Sequence, residues 1–398
     1  MVAQVSHTGS EINRRGFLRS ALAASAFLMA ARTDQLLARA AGLDGQRRFA
    51  PVKVSRDRII REVVGLRPYR SEGFVVDAER VGSKFLIHNY GQGGAGITLS
   101  WGTASLALDL ARDFLGARTS RSGRSSRPAA HRRRFAVLGC GVNGLSTALL
   151  LQRRFQDGPG TVTIYAKDLP PETTSNIAGG FWYPTSVYDP QAASTKFTEQ
   201  FRLACRISNR AFQPLVGHEY GVRWIDTVEL YRNEASLGRE LIGGNDLYPQ
   251  QEVHRDAERY FGFPYARQYS TMLIEPPVYL NALLRDFYIA GGKLVVKEFR
   301  NREEIMRLPE PVIINCTGLG ARALFGDQKL SPVRGQLEVL LPQPEIDYCY
   351  LSSGYMFPRR DGIILGGTWD RDDWSLTPKA KQTTRILEEH AEIMKGLK

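Results

Sequence analysis

Short apolar runs alternate with glycine-rich and polar stretches, and one such series predicts a nucleotide-binding unit. The apolar residues Phe135–Leu138 predict a strand, the glycine-rich stretch 139–144 predicts a tight turn, and residues 145–155 have the pattern of a helix. A second strand is predicted at residues 161–166. This order of strand, turn, helix and strand within about 30 residues is typical of a parallel α/β unit.

The overall composition is that of a globular protein. The 398 residues are 43% hydrophobic, 24% charged and 10% aromatic, which allows a large core and excludes a disordered chain or a coiled coil. No apolar run reaches the ~20 residues that a membrane-spanning helix needs, so we expect no stable insertion into a membrane.

The net charge of +12 is concentrated in two segments. Residues 1–40 carry +3 and residues 117–134 carry +7, which leaves +2 for the rest of the chain. Residues 117–134 are rich in Ser and Arg without apolar periodicity, and they predict a solvated linker. Contact with nucleic acid or anionic lipid is an alternative, but no aromatic residues are interleaved, and we expect no nucleic-acid partner.

Residues 1–41 have the layout of a twin-arginine signal. Arg14 and Arg15 precede a short apolar stretch at residues 21–31, and small residues follow at 38–40. We therefore expect export by the twin-arginine machinery to the periplasm or the cell exterior. The alternative is an amphipathic N-terminus without a targeting role, which would leave the protein in the cytoplasm.

The cysteines and histidines indicate no metal site. Cys140, Cys205, Cys316 and Cys349 lie far apart without a CxxC pair, and the six histidines have no HxH or HxxxH spacing. We expect free and mostly buried cysteines.

The glycine-rich turn is a GxGxxG motif in the setting that binds dinucleotides. The first glycine permits the tight turn, the second lets the backbone approach a pyrophosphate, and the third brings the helix against the strand. The candidate residues are Gly139, Cys140, Gly141, Val142, Asn143 and Gly144. A ribose-binding acid is expected after the second strand; Asp168 is the candidate, although Lys167 directly follows the strand.

A second segment, TTSNIAGGFW at residues 173–182, has hydroxyl and small residues suited to a loop beside a ligand. Together with GCGVNG it resembles the D-amino-acid oxidase family of FAD-dependent enzymes. Further segments follow in that family's order: 274–284 (IEPPVYLNALL), 315–324 (NCTGLGARAL), 331–336 (SPVRGQ) and 354–374 (GYMFPRRDGIILGGTWDRDDW).

The family's closing third lies near the N-terminus instead. GLRPYR at residues 65–70 resembles its GxRPxR substrate segment, and HNYGQGGAGIT at 88–98 resembles its closing flavin segment. The chain thus resembles a circularly permuted member, with the permuted part in residues 42–116 and a Rossmann-like FAD-binding part with an interleaved antiparallel-sheet substrate domain in residues 135–398. The implied fold class is α/β with α+β elements. Two joined gene fragments are the alternative.

The resemblance implies FAD as cofactor and oxidation of a D-amino acid by oxygen to a 2-oxo acid, ammonia and hydrogen peroxide. Arg67 would bind the substrate carboxylate, Tyr355 would donate a hydrogen bond to it, and the carbonyl of Gly94 would accept from the amine. Besides the GxGxxG motif, the cofactor-binding candidates are Lys167, Asp168, Thr174, Ser175, Gly179, Gly180, Phe181, Gly93, Gly94, Ala95, Gly96, Ile97 and Thr98.

The side-chain preference is open at this stage. Tyr183 and Trp182 are candidates for the substrate wall, and Leu351 stands where the family has a second tyrosine, with Tyr350 one position away. No Arg or His marks a pocket for acidic substrates, which favours neutral D-amino acids. Alternatives are a flavin oxidase of the glycine, sarcosine or D-aspartate type and a flavin-binding protein without oxidase activity. A nicotinamide-dependent dehydrogenase would explain GCGVNG but not residues 91–98 or 173–182. A homodimer is left open.

Overall fold

The computed structural model describes residues 49–121, 134–155, 161–258 and 262–397, and the side chains of 115–121 are left out. The predicted signal segment 1–41 and residues 122–133 of the predicted linker lie outside the described residues. Residues Ala50–Lys398 form one compact unit.

In the described ranges, fifteen strands form two sheets. The strands are β1 Ile59–Tyr69, β2 Val75–Val81, β3 Lys84–Tyr90, β4 Phe135–Leu138, β5 Val162–Ala166, β6 Val222–Tyr231, β7 Glu252–His254, β8 Tyr265–Ile274, β9 Lys293–Val296, β10 Val312–Asn315, β11 Ser331–Leu340, β12 Tyr348–Leu351, β13 Tyr355–Arg359, β14 Gly362–Gly366 and β15 Asp370–Arg371. The helices are α1 Gly96–Arg121, α2 Val142–Arg154, α3 Thr195–Phe212, α4 Pro276–Ile289, α5 Arg302–Met306, α6 Gly320–Leu324 and α7 Ala380–Lys395.

The smaller sheet has the order β2-β3-β10-β4-β5-β9, with β2 antiparallel and the other neighbours parallel. Every residue of β4 and β10 is buried, because successive side chains enter apolar clusters on opposite faces of the sheet. The predicted order of strand, turn, helix and strand is confirmed here. Helix α2 begins at Val142, three residues earlier than the hydrophobic pattern predicts, because the glycine turn itself supplies its first turn.

The larger sheet has the order β1-β11-β14-β13-β12-β6-β8-β7, and β15 pairs with the end of β11. Its pairs are antiparallel except for β12 beside β6. The two sheets confirm a mixed α/β fold.

The N-terminal third joins both sheets. Strand β1 pairs along its length with β11, and β3 is the parallel neighbour of β10. Helix α1 approaches α3 so closely that a Cβ at Gly102 would lie 2.1 Å from the carbonyl oxygen of Ala204. Strands within residues 60–116 therefore pair with strands within residues 270–395.

One predicted boundary is wrong. Helix α1 continues to Arg121, so residues 117–121 of the predicted linker are helical. Arginine is a good helix former, so a segment without apolar periodicity can still extend a helix.

The four cysteines are free and buried, which confirms that prediction. None of the described helices is long and apolar enough to cross a membrane. Over the same residues, no group of three or more His, Cys, Asp or Glu side chains is arranged to hold a metal ion.

Helix α7 is fixed to the larger sheet by a buried histidine. The Nε2 atom of His390 lies 3.2 Å from the carbonyl oxygen of Gly366, and Nδ1 contacts the hydroxyl of Tyr350. Because a carbonyl only accepts, Nε2 carries the proton and Nδ1 accepts from Tyr350, so both bonds use the neutral ring. Burial lowers the pKa of His390 to about 4.

Because His390 is neutral in the folded chain, we expect the fold to lose stability in acid. As the pH is lowered from 6.5 to 4, the unfolded chain takes up a proton that the folded chain does not. The free energy of unfolding therefore decreases by about 3 kcal/mol in total over this range. Urea unfolding from pH 7 to pH 4 measures the slope. A His390→Asn variant should be less stable at pH 7 but should lack this contribution to the pH dependence. If the slope is unchanged in the variant, the pH dependence comes from other groups.

Candidate active site

A cavity of about 1270 Å³ runs from the carboxyl ends of β4, β5 and β10 across one face of the larger sheet. Carboxyl ends of parallel strands are the usual place for a ligand in such sheets. Its walls come from the glycine turn, the 173–182 segment, the N-terminal third and the strands β6 and β11–β13.

The glycine turn has the geometry that its motif predicts. Gly139 has φ +103°, which an L side chain rarely adopts. A Cβ at Gly144 would lie 2.0 Å from the carbonyl oxygen of Gly139, so this glycine brings α2 against the turn, and it does not line the cavity. Gly141 does line it, and a Cβ there would meet only the Ser175 hydroxyl, at 3.1 Å. The space over Gly141 is therefore left for a ligand.

The N-terminus of α2 faces the same space. The first helical bond joins the N–H of Leu145 to the carbonyl of Gly141, and no side chain of the N-cap residue satisfies the earlier N–H groups. Ser175 accepts from the N–H of Val142 at 3.0 Å and so ties the second predicted segment to the first. The remaining N–H groups and the helix dipole suit a phosphate.

Lys167 and Asp168 line the cavity beyond β5. Both side chains are more than half exposed, and the Lys167 ammonium lies 4.0 Å from Asp168 and 3.7 Å from Glu298. An acid thus stands at the predicted position, at the rim of the cavity.

The predicted segment 93–98, which belongs to the N-terminal third of the chain, forms another wall of the cavity. Gly93 has φ +56°, and a Cβ there would lie 2.2 Å from the carbonyl oxygen of Ser186. The N–H of Gly94 donates to that oxygen at 3.0 Å, and Thr98 donates to the carbonyl of Phe181 at 3.3 Å. Ala95 is an exception among the candidates: it is 1% exposed and packs in the core rather than on the cavity.

The residues present fit an elongated dinucleotide such as FAD. The three glycine-rich segments line one cavity, the Gly141 backbone is open to it, and a helix N-terminus points there. The volume exceeds the ~300–1,000 Å³ of a typical small-molecule pocket, which leaves room for a substrate beside a cofactor.

Arg67 reaches the cavity across a glycine of the neighbouring strand. A Cβ on Gly335 of β11 would lie 2.6 Å from the guanidinium carbon and both of its terminal nitrogens. One nitrogen donates to the carbonyl of Thr368 at 3.1 Å, and the guanidinium lies 5.6 Å from the Trp369 ring centre. It forms no ion pair with a carboxylate of the described residues, so its charge is available to a ligand.

Tyr355 lies on the same face, over Gly366 of β14, where a Cβ would lie 2.3 Å from its ring. Its ring stacks on Phe357 at 4.8 Å, and Phe357 stacks on Phe181 at 4.8 Å. Glycines of two central strands thus make room for the two predicted substrate-binding side chains.

Gly335 offers a test of this arrangement. Its φ is not positive, so alanine is tolerated by the backbone, and the atoms in its way are the mobile end of Arg67. We expect Gly335→Ala to lower kcat/KM about 10–100-fold by moving the guanidinium, since small misplacements of positioning groups have effects of this size. Thermal unfolding should change little. Gly238→Ala, whose Cβ would meet only the Ala235 carbonyl at 3.8 Å, is the control; equal activity in both variants would contradict the arrangement.

Two candidate wall residues have different positions. Tyr183 lines the cavity, but Trp182 is 0% exposed and packs beside Tyr248, because neighbouring residues of an extended segment point to opposite sides. The same alternation puts Leu351 on the cavity and Tyr350 against His390.

The sequence missed several lining residues. Cys316, Thr317 and Gly318 directly follow β10, and the NCTG sequence at residues 315–318, at the end of a strand, was the available signal. Burial raises the pKa of the Cys140 and Cys316 thiols to about 12, so these lining thiols are neutral and poor nucleophiles. Glu229 of β6 also lines the cavity, and no motif marks it.

Comparison with known proteins gives three findings. A family model described as FAD dependent oxidoreductase (DAO) matches residues 134–398. A D-amino acid oxidase of Dugesia ryukyuensis is 29% identical over 273 residues, which cover 66% of this chain and 78% of the relative. A D-aspartate oxidase of Homo sapiens is 30% identical over 263 residues, which cover 64% of this chain and 74% of the relative.

Among solved structures, L-proline dehydrogenase from P. horikoshii matches with a TM-score of 0.51 at 16% identity, covering 65% of this chain and 76% of that one. At this identity the likeness concerns the fold alone.

Proposed function

The chain belongs to the DAO family of FAD-dependent oxidoreductases, with FAD as its cofactor, and from this premise we propose that it oxidises D-amino acids. The observation that carries the proposal is that Arg67 and Tyr355 lie on one face of a cavity that fits FAD. Arg67 is a cation without a carboxylate partner among the described residues. A bidentate guanidinium pair is a strong and oriented contact for a substrate carboxylate.

The chain's own residues bind and orient the substrate. Arg67 holds the carboxylate, Tyr355 donates a hydrogen bond to it, and the carbonyl of Gly94 accepts from the amine. The N–H of Ala95, in the same peptide group as that carbonyl, donates to the carbonyl of Gln92 at 3.0 Å and so fixes its orientation. FAD, when bound, would supply the two-electron oxidation, with oxygen as the electron acceptor. In balance, the amino acid, oxygen and water give the 2-oxo acid, ammonia and hydrogen peroxide.

A substrate screen tests the proposal. Purified yellow protein is incubated with D-amino acids, glycine, sarcosine and the matching L-amino acids, and oxygen uptake and peroxide are measured. We expect peroxide with D-amino acids and none with the L-enantiomers. Oxidation restricted to glycine or sarcosine would assign another amine oxidase activity, and no oxidation by FAD-loaded protein would reject the proposal.

We also propose that the chain is circularly permuted relative to its relatives. The family match begins at residue 134, and the two relatives above are covered over 78% and 74% of their length. The N-terminal third is bound to the matched part by a chain of side-chain bonds: Asn143 to Gln92 at 2.8 Å, Gln92 to Asn89 at 2.7 Å, and Asn89 to Thr147 at 3.1 Å.

Cutting the connection between α1 and β4 tests the permutation. Limited proteolysis within residues 122–133 should leave two fragments that copurify and keep FAD and activity. Each sheet contains strands from both fragments, and side-chain hydrogen bonds join the fragments. Gel filtration and absorbance of the nicked protein measure this. Separation of the fragments into unfolded chains would contradict the proposal.

We further propose export by the twin-arginine route, supported by the layout of residues 1–41. Fractionation of cells that express the chain and an Arg14→Lys, Arg15→Lys variant tests it. Export of the wild-type chain alone is expected, and equal export of both would reject this route.

A further inference from the structure

We infer that Glu229 recognises the end of the substrate side chain, and that the enzyme prefers D-amino acids with basic side chains. The inference rests on the proposed D-amino-acid oxidase function and narrows its substrate class. It also replaces the expectation of neutral substrates, which came from the absence of a basic residue and did not consider a buried acid.

Strand register places Glu229 in line with the proposed carboxylate site. Gly366 of β14 pairs with Tyr355 of β13, Tyr355 with Leu351 of β12, and Leu351 with Glu229 of β6. Directly paired residues point to the same face of a sheet. The side chains of Tyr355, Leu351 and Glu229 all line the cavity.

The spacing along this row suits a long side chain. Tyr355 and Glu229 are two strands apart, about 10 Å at the usual strand separation. Leu351 lies between them and offers an apolar surface to the methylenes of a lysine or arginine side chain. A substrate whose carboxylate is held near Tyr355 therefore extends along the row toward Glu229.

The carboxylate of Glu229 is buried but not neutralised by contact. The residue is 6% exposed, and its two oxygens accept from the hydroxyls of Tyr231 and Tyr269, the latter at 3.1 Å. Its cross-strand neighbour Arg267 donates instead to the carbonyls of Ser236 and Leu237, and no ion pair joins the two. Tyr183 also lies within hydrogen-bonding reach of Glu229. Two oxygens have about four acceptor positions, so one remains for a ligand donor.

The tyrosines around Glu229 have raised pKa values. Burial is the larger cause of the raised pKa of Tyr183 and Tyr231, and the nearby Glu229 raises both further. These phenols thus stay protonated, and Tyr231 acts as a donor to Glu229. Arg267 is buried beside Glu229 but is directed to the carbonyls of Ser236 and Leu237 and does not line the cavity. The group that faces the cavity is therefore the Glu229 carboxyl among aromatic faces, which suits a guanidinium or ammonium.

The test compares substrates that differ only at the far end. D-lysine and D-norleucine differ by the terminal ammonium, and D-arginine, D-methionine and D-aspartate complete the set. We expect kcat/KM for D-lysine or D-arginine to exceed that for D-norleucine at least about tenfold, and D-aspartate to be oxidised least, from the value of a charge-assisted hydrogen bond in a dry site.

Glu229→Gln should reduce the preference for D-lysine over D-norleucine to within about threefold. Glu338→Gln is the matched control, because Glu338 is also buried but is the neighbour of Leu337 on β11 and points to the opposite face. A preference of the wild-type enzyme for D-norleucine or D-aspartate, or an unchanged ratio in Glu229→Gln, would overturn the inference.

Binding separates this inference from the proposed function. The acids 4-guanidinobutanoate and hexanoate lack the α-amine and cannot be oxidised, so their dissociation constants can be measured by thermal shift of the FAD-loaded wild-type protein. We expect the guanidino acid to bind at least about tenfold more tightly, even if no D-amino acid proves to be a substrate. Equal or weaker binding of the guanidino acid would reject the role of Glu229, whatever the activity.

Discussion

Arg67→Leu should lower kcat/KM for the best D-amino acid about 10²–10³-fold, a loss of ~3–5 kcal/mol of transition-state stabilisation. Leucine keeps the apolar volume over Gly335 but leaves the substrate carboxylate without a cation in a site that lies among buried residues. Steady-state oxygen uptake measures the loss. FAD should remain bound, because the proposal assigns Arg67 to the substrate and not to the cofactor, and the visible absorbance of the purified variant checks this.

Tyr355→Phe is the graded comparison. It removes one hydroxyl and keeps the ring stacked on Phe357, so the expected loss is smaller, about 1–2 kcal/mol. If Arg67→Leu keeps wild-type efficiency while Tyr355→Phe abolishes activity, the carboxylate is held elsewhere and the assignment of Arg67 fails.

The parts of the site that the sequence predicts are those fixed by local backbone geometry. The turn between Phe135–Leu138 and α2 needs Gly139 for its positive φ and Gly144 for its contact with the Gly139 carbonyl oxygen, whatever the rest of the fold does. Its spacing is therefore visible without knowledge of any distant contact. The same holds for Gly93, whose positive φ belongs to the turn before α1.

The parts that the sequence does not predict depend on strand register. Gly335 matters because Arg67 of β1 crosses it, and this follows from the pairing of two strands more than 250 positions apart. Glu229 enters the cavity because its strand is the neighbour of β12, which no local pattern encodes. A one-residue change of register would turn Glu229 to the other face, as the opposite orientations of Leu351 and Tyr350 illustrate.

The orientation of Trp182 shows the same limit within one segment. The small residues of 173–182 place the loop near a ligand, yet which of two adjacent aromatic side chains faces it depends on the core behind. Tyr183 is on the cavity and Trp182 fills the core beside Tyr248.

Gly141→Val should abolish FAD binding while the protein stays folded. Residue 141 has φ −74° and ψ −178°, which any residue adopts, and the first atom in the way of a Cβ is the Ser175 hydroxyl at 3.1 Å. The added methyl groups occupy the space over the N-terminus of α2 where a pyrophosphate would approach. We expect at least about 100-fold weaker FAD binding, in line with an overpacking cost of up to ~3 kcal/mol.

Gly144→Val separates this effect from a failure to fold. Its Cβ would lie 2.0 Å from the carbonyl oxygen of Gly139, so this variant should lose cooperative thermal unfolding together with FAD. Gly141→Val should instead unfold cooperatively near the temperature of the cofactor-free wild-type protein, and remain colourless after dialysis against FAD. Because the glycine turn, Ser175 and the 93–98 segment share one cavity, a Gly141→Val protein that retains stoichiometric FAD would mean that the cofactor lies away from the turn, and the cavity would need another ligand.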